Sequence, residues 1–288
     1  MITHSMKTLA SFICLALLLT ACSSNDKKQI SETGISETSF YENAVKASKS
    51  GNYSTAVELL TQLESRYPFG RYSEEAQLEL IFVQYKSANY EASRATSNRF
   101  IRLHPQHAKL DYVYYLKGLA AYQQGKTIID RFLKIERSKR DMGAARESLV
   151  DFGTLLNRYP DSQYADEARA RMIHLRNMLA NHEIHVGRYY LKRKAFIAAA
   201  NRGRYVVENY PTTPSVPDGL AIMVQAYQQL GLTELAEQSQ QILSSNAPSY
   251  KGLGEQTSFS VQEGEIKTKR SWLNRFSFGM LGDHGETH

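Results

Sequence analysis

Between about Phe40 and Pro248, apolar side chains return every three or four positions, the spacing that gathers them on one face of an α-helix. In the stretch from Tyr53 to Arg66 that face is Ala56, Leu60 and Leu63. No stretch sustains the every-second-residue alternation of a half-buried strand, so the pattern predicts an all-α fold. The amphipathic stretches come in pairs, and each pair ends at a proline: Pro68, Pro105, Pro160, Pro211 and Pro248, spaced by 37, 55, 51 and 37 residues. Twelve residues before each proline stands a small residue, Ala56, Ser93, Ser148, Ala199 or Ala236. Small side chains let helices approach closely, and a proline stops a helix because it has no N–H for the next backbone bond.

This phase of small residue and proline resembles the tetratricopeptide repeat, a helix A, a tight turn and a helix B. The resemblance implies a right-handed superhelical solenoid of about five helical hairpins. The pattern predicts helix A of repeat one over about Phe40 to Lys49, a turn at Gly51-Asn52, and helix B over about Tyr53 to Arg66. Repeat two follows at Glu74 to Lys86 and Tyr90 to Leu103, and the third helix A at Asp111 to Gln123. The spacing of 55 against 37 adds 18 residues near 124–140 and delays the third helix B to about Asp141. The spacing of 51 adds 14 residues near 163–180, about four helical turns. These read as an added or lengthened helix from about Gln163, running into the fourth helix A near His182 to Arg193. Repeat five is Pro217 to Leu230 and Thr233 to Ser244.

The ends differ from this array. Lys7 and the apolar run Leu9 to Leu19 read as a signal peptide over 1–21, too short to span a bilayer stably. The run closes Leu19-Thr20-Ala21-Cys22, which resembles the bacterial lipobox. That resemblance implies cleavage before Cys22, lipid attachment at Cys22 and loss of Cys14, and Ser23 in the next position implies sorting to the outer membrane. Residues 22–39 are polar and read as a flexible tether, and residues 249–288 as a largely flexible tail.

With 42% hydrophobic and 22% charged residues, the 288-residue chain is too apolar to be disordered. Its net charge of +6 drops to +5 once Lys7 is removed, a balance that by itself selects no partner. Both cysteines lie in the first 22 residues, so the body has neither a disulfide framework nor a cysteine-based metal site. Gly125-Lys126-Thr127 lacks the upstream glycine of a phosphate loop, since position 120 is Ala. Asp151-Phe152-Gly153 copies a kinase tripeptide without the rest of the kinase signature. His182 and His185 share a helix face, but the zinc-protease spacing would need the second histidine where Val186 stands. With no GxSxG either, the chain reads as a binder: no enzyme, cofactor, metal or nucleic-acid partner is expected.

Arg66 to Ser73 (RYPFGRYS), Phe100 to Pro105 (FIRLHP), Leu110 to Tyr115 (LDYVYY) and Arg158 to Ala168 (RYPDSQYADEA) carry a more specific likeness. They resemble the lipoprotein family of the machinery that folds β-barrels into the bacterial outer membrane, over roughly Cys22 to Asn246. The resemblance implies a non-enzymatic scaffold, lipid-anchored in the outer membrane and facing the periplasm. Its C-terminal repeats would touch the periplasmic domains of the central barrel subunit, with Arg202 at a family interface position. Its N-terminal repeats would receive unfolded barrel precursors or a companion lipoprotein. A lipid-anchored tetratricopeptide adaptor of cell-wall metabolism or division is the alternative.

In such a solenoid helix A lines the groove. Counted along helices A of repeats one to three, the groove positions include Tyr41, Phe82, Tyr85, Tyr112, Tyr115 and Tyr122, an aromatic set fit for extended peptide. The 18-residue insertion holds Arg131, Lys134, Arg137, Lys139 and Arg140, either a solvated loop or a surface for an acidic partner. Lys267 to Phe278, with Trp272, fits a membrane surface, a partner groove or a patch docked on the protein itself.

Overall fold

A computed structural model describes residues 36–124 and 142–252. Its helices are α1 Glu37–Lys49, α2 Tyr53–Arg66, α3 Ser73–Lys86, α4 Tyr90–Leu103, α5 Leu110–Gln124, α6 Gly143–Arg158, α7 Ala165–Lys192, α8 Phe196–Asn209, α9 Val216–Gln229 and α10 Thr233–Asn246. Each helix packs on the next, and the A helices also touch in pairs, α1 with α3, α3 with α5 and α7 with α9. The result is an all-α stack of hairpins, with no strand among the described residues.

The same local devices build each hairpin. At the A–B turn the chain passes through the left-handed region at Gly51, Ala88, Lys194 and Gly231, with φ of 78°, 62°, 59° and 72°. Asn52 and Asn89 then cap helix B, each side-chain oxygen accepting an N–H three residues on. At the other end, Tyr67, His104, Tyr159, Tyr210 and Ala247 each donate the last helical bond. All five leave the helix with φ between −127° and −141°, because the proline that follows excludes the helical region.

The small residues of helix B, Ala56, Ser93, Ser148, Ala199 and Ala236, are all buried where B crosses A. Two of them add a bond. Ser93 Oγ donates to the Ile81 carbonyl and Ser148 Oγ to the Gly118 carbonyl, both at 2.9 Å. These pairs are 12 and 30 residues apart, so the 18 extra residues of repeat three leave the A–B crossing unchanged. At that crossing Gly118 is needed for space, since a Cβ there would lie 2.7 Å from the buried Phe152 ring. The kinase-like tripeptide is thereby part of the core: Phe152 packs inside, and Asp151 pairs with Lys117 at 2.7 Å.

Three expectations are sharpened. The first helix starts at Glu37, capped by Ser36, so the tether boundary of 39 is too late. The 14 added residues form no separate element; α7 is one continuous helix of 28 residues. Tyr250, assigned to the tail, donates its hydroxyl to the buried Asp218, which also pairs with Arg188 at 3.1 Å. The signal peptide, Cys22, the basic insertion with Gly125-Lys126-Thr127, and the Trp272 segment lie outside the described residues. No described helix is long and apolar enough to cross a membrane.

Candidate binding face of the A helices

Nine consecutive residues of α3, Ala76 to Gln84, are buried. At 100° per residue such a run covers every side of the helix, so α3 is a central helix and not the wall of an open groove. In α5, ten of fifteen residues are buried. The six predicted groove aromatics divide accordingly. Phe82, Tyr112 and Tyr115 are core residues, with Tyr115 fully inaccessible, so the groove expectation is corrected for these three. Tyr41, Tyr85 and Tyr122 are partly exposed and rest against that core.

Tyr41 stacks on Tyr72 with ring centroids 4.6 Å apart and 12° between planes. Burial, with Glu79 and Glu75 behind it, pushes its hydroxyl up to about 12, so it stays a neutral donor. Glu79 is itself buried at the contact of α1 and α3, where Ser48 Oγ donates to its Oε1 at 2.6 Å. Loss of water raises its carboxyl above the usual range, opposed by the Ser48 bond and by Lys49. This buried acid was visible in the sequence as the one charge inside Leu78 to Val83, but periodicity alone gave it no role.

The second patch is assembled by the lengthened α7. Just before its first turn, Tyr164 stacks on Tyr115 at 4.6 Å and 16°. Two turns on, Arg171 lies over the Tyr122 ring at 5.3 Å and pairs with Glu167 at i−4, both ends largely buried. His174 meets Tyr122 edge-on at 6.0 Å. Tyr85 reaches the same cluster, bonded to Gln123 and close to Arg171 and Glu167, with its hydroxyl raised chiefly by burial. The first half of α7, which starts five residues after its proline as α3, α5 and α9 do, puts an arginine and a carboxylate among the tyrosines of α3 and α5. Tyr164, Glu167, Arg171 and Glu79 are the residues that helix periodicity missed.

Arg202, on α8, donates to Glu183 of α7 at 2.8 Å, and Arg146 of α6 reaches the other oxygen of that buried carboxylate at 3.2 Å. The bond to Glu183 strengthens the hold of Arg202 on its proton. Roughly two-fifths of the Arg202 side chain is still exposed, at 42%. Among the described residues no group of three or more His, Cys, Asp or Glu side chains is placed to hold a metal, His182 and His185 included.

Comparison with known proteins decides the family. The profile of YfiO, described as an outer membrane lipoprotein, matches residues 34–242, almost the whole described array. The chain belongs to this family. Curated relatives extend the match. The outer membrane protein assembly factor BamD of Vibrio cholerae serotype O1 is 39% identical over 240 residues, covering 83% of this chain and 98% of the relative. BamD of Xylella fastidiosa strain Temecula1 is 36% identical over 245 residues, covering 85% and 83%. BamD of Neisseria meningitidis serogroup A is 37% identical over 246 residues, covering 84% and 92%.

Proposed function

We propose that this chain is an outer membrane protein assembly factor that works by binding, not catalysis. The observation that carries the reading is its 39% identity over 98% of a curated assembly factor. The geometry fits: a stack of hairpins is a rigid, extended support, and its A-helix side offers half-buried tyrosines beside a buried carboxylate and an arginine. Such a surface accepts both aromatic side chains and the unpaired backbone of an unfolded barrel strand.

In this reading Cys22 carries the lipid that holds the chain to the outer membrane, facing the periplasm. The C-terminal repeats bind the periplasmic domains of the central barrel subunit, BamA, with Arg202 and Arg146 presenting charge around Glu183. Tyr41, Tyr85 and Tyr122 form the precursor-contacting set, shared with or adjoining a companion lipoprotein.

Three experiments test it. Depletion of the chain is expected to lower the outer-membrane content of barrel proteins, and pull-down from detergent-solubilised envelopes to retrieve the central barrel subunit. Recovery of cell-wall enzymes in its place, with barrel content unchanged, would refute the reading. Photo-cross-linkers at Tyr85 and Tyr122 are expected to capture precursor, and no capture at either site would remove them from the binding face.

A further inference from the structure

In a stack of hairpins, every turn from helix B to the next helix A lies on one edge, together with the N-terminus of α1. The residue after the proline is solvent-exposed in the four such turns and in the segment that follows α10. At four of these positions it is polar, Gln106, Asp161, Thr212 and Ser249. In the first it is Phe69, 98% exposed, more than any other large apolar side chain described. The repeats act as an internal control: the position wants a polar residue, and only this turn departs from it.

The turn leaves that ring outside through the same backbone bonds that recur after Pro105, Pro160 and Pro211. Gly70 N–H donates to the Tyr67 carbonyl and Ser73 N–H to the Gly70 carbonyl. Glu37 Oε1 accepts the Tyr72 N–H at 2.7 Å and fills the space a Cβ on Gly70 would need. Arg66 and Arg71 stand on either side of Phe69 in sequence, their guanidinium groups over Phe40 and Tyr72 at 5.3 and 5.5 Å. Of the neighbouring carboxylates, Glu37 bonds to Tyr72, Glu64 pairs with Arg99 and Glu74 lies against His104 and His107, while Glu75 in the first turn of α3 is exposed. Two arginines around an exposed phenylalanine match an anionic bilayer surface, with the ring at headgroup depth and the cations on phosphates.

Chain length selects the same occupant. Ser36 caps the helix whose next residue, Glu37, bonds to this turn, and Cys22 is 14 residues earlier. However those residues are arranged, 14 of them span no more than about 50 Å. The turn bearing Phe69 therefore stays next to the point where the chain leaves for its lipid.

We propose that the Phe69 turn, flanked by Arg66 and Arg71, is a second membrane contact that seats the first repeat on an anionic phospholipid surface. This rests on the reading of Cys22 as the lipid attachment site. One greasy anchor leaves orientation free, whereas an anchor and a rigid second contact define which edge of the stack faces the bilayer.

The test uses the full lipidated chain carrying Phe69→Trp and Trp272→Phe, reconstituted into phosphatidylethanolamine vesicles with varied phosphatidylglycerol. The introduced indole is then the only one in the chain. Phe69 makes almost no internal contact, so an unchanged melting temperature is expected and checks the fold. The expected result is flotation with the vesicles, tryptophan emission shifted to shorter wavelength, and strongest quenching by bromines placed near the headgroups. The shift grows with phosphatidylglycerol and shrinks with Arg71→Gln. Flotation with water-like, unquenched emission would overturn the membrane contact while leaving the anchor intact. Failure to float would overturn the anchor reading and this contact with it. An emission response to added barrel-precursor peptide but not to lipid would assign the turn to precursor binding and overturn the proposal.

Discussion

Gly203→Ala puts two physical effects of opposite sign in direct competition. Gly203 lies mid-helix in α8, where alanine is favoured by about 1 kcal/mol on intrinsic propensity. Against that, a Cβ at Gly203 would stand 2.4 Å from the Gly219 carbonyl oxygen of α9 and 2.9 Å from Met223 Cγ. The methionine side chain can turn away, but the carbonyl oxygen is helical backbone, so α8 and α9 must move apart by about 0.5–1 Å. A gap of that size forfeits roughly a quarter to a half of each dispersion contact along the interface. That interface includes Ala199, Val206 and Ile222, all fully buried. Overpacking of this kind costs roughly 1–3 kcal/mol, or more when backbone is the obstacle. The net is a destabilisation of up to about 2 kcal/mol, and a melting temperature lower by up to roughly 8 °C for a chain of this size. Gly219→Ala is the milder partner, because its Cβ would meet the Gly203 carbonyl at 3.0 Å. Thermal unfolding followed by far-ultraviolet circular dichroism reads both variants. A higher melting temperature for Gly203→Ala would show that propensity wins and that the close approach of α8 and α9 is wrong.

The A–B turns give a second test: Ala88→Gly and Lys194→Gly relieve left-handed strain and should gain about 0.5–1 kcal/mol in urea unfolding, while Gly51→Ala and Gly231→Ala should lose about as much. Glu79 predicts a pH dependence. Burial raises its folded pKa above the ordinary 4.5, so its contribution to stability is full below the unfolded value and is lost as pH rises through the folded one. Glu79→Gln, which can still accept from Ser48, should therefore be more stable than the native chain at pH 7, the gain fading toward pH 4; a gain that persists at pH 4 would contradict the desolvation argument. Arg171→Met strands Glu167 in a largely buried site and should cost about 3 kcal/mol, whereas the double variant Glu167→Gln with Arg171→Met should recover most of it. Equal losses in the single and double variants would show that the pair is not coupled.

The B helices were legible almost residue by residue: α2 and α4 begin and end where the phase of small residue and proline places them. Each of these signals acts within one helical turn of itself, so no distant contact can overrule it. The binding face was only half legible. Counting positions along helix A tells which side chains share a face, but not whether that face is covered. Tyr112 and Tyr115 carry the same signal as Tyr122, yet α5 is packed from several sides and, of the three, Tyr122 alone reaches the surface. What covers Tyr115 is Tyr164, brought from the next repeat by α7.

From local pattern alone the chain determined its class, its repeat number and the composition of its turns, because helix propensity, capping and proline geometry are short-range effects. The tertiary structure decided which aromatics are core and which are surface, that the added residues of the fourth repeat extend α7 as one continuous helix, that Glu167 and Arg171 in its first half meet the tyrosine cluster, and that Phe69 is exposed. Those outcomes depend on how far helices approach and which neighbours cover them, and such contacts join residues some 30 to 90 positions apart, where periodicity carries no information.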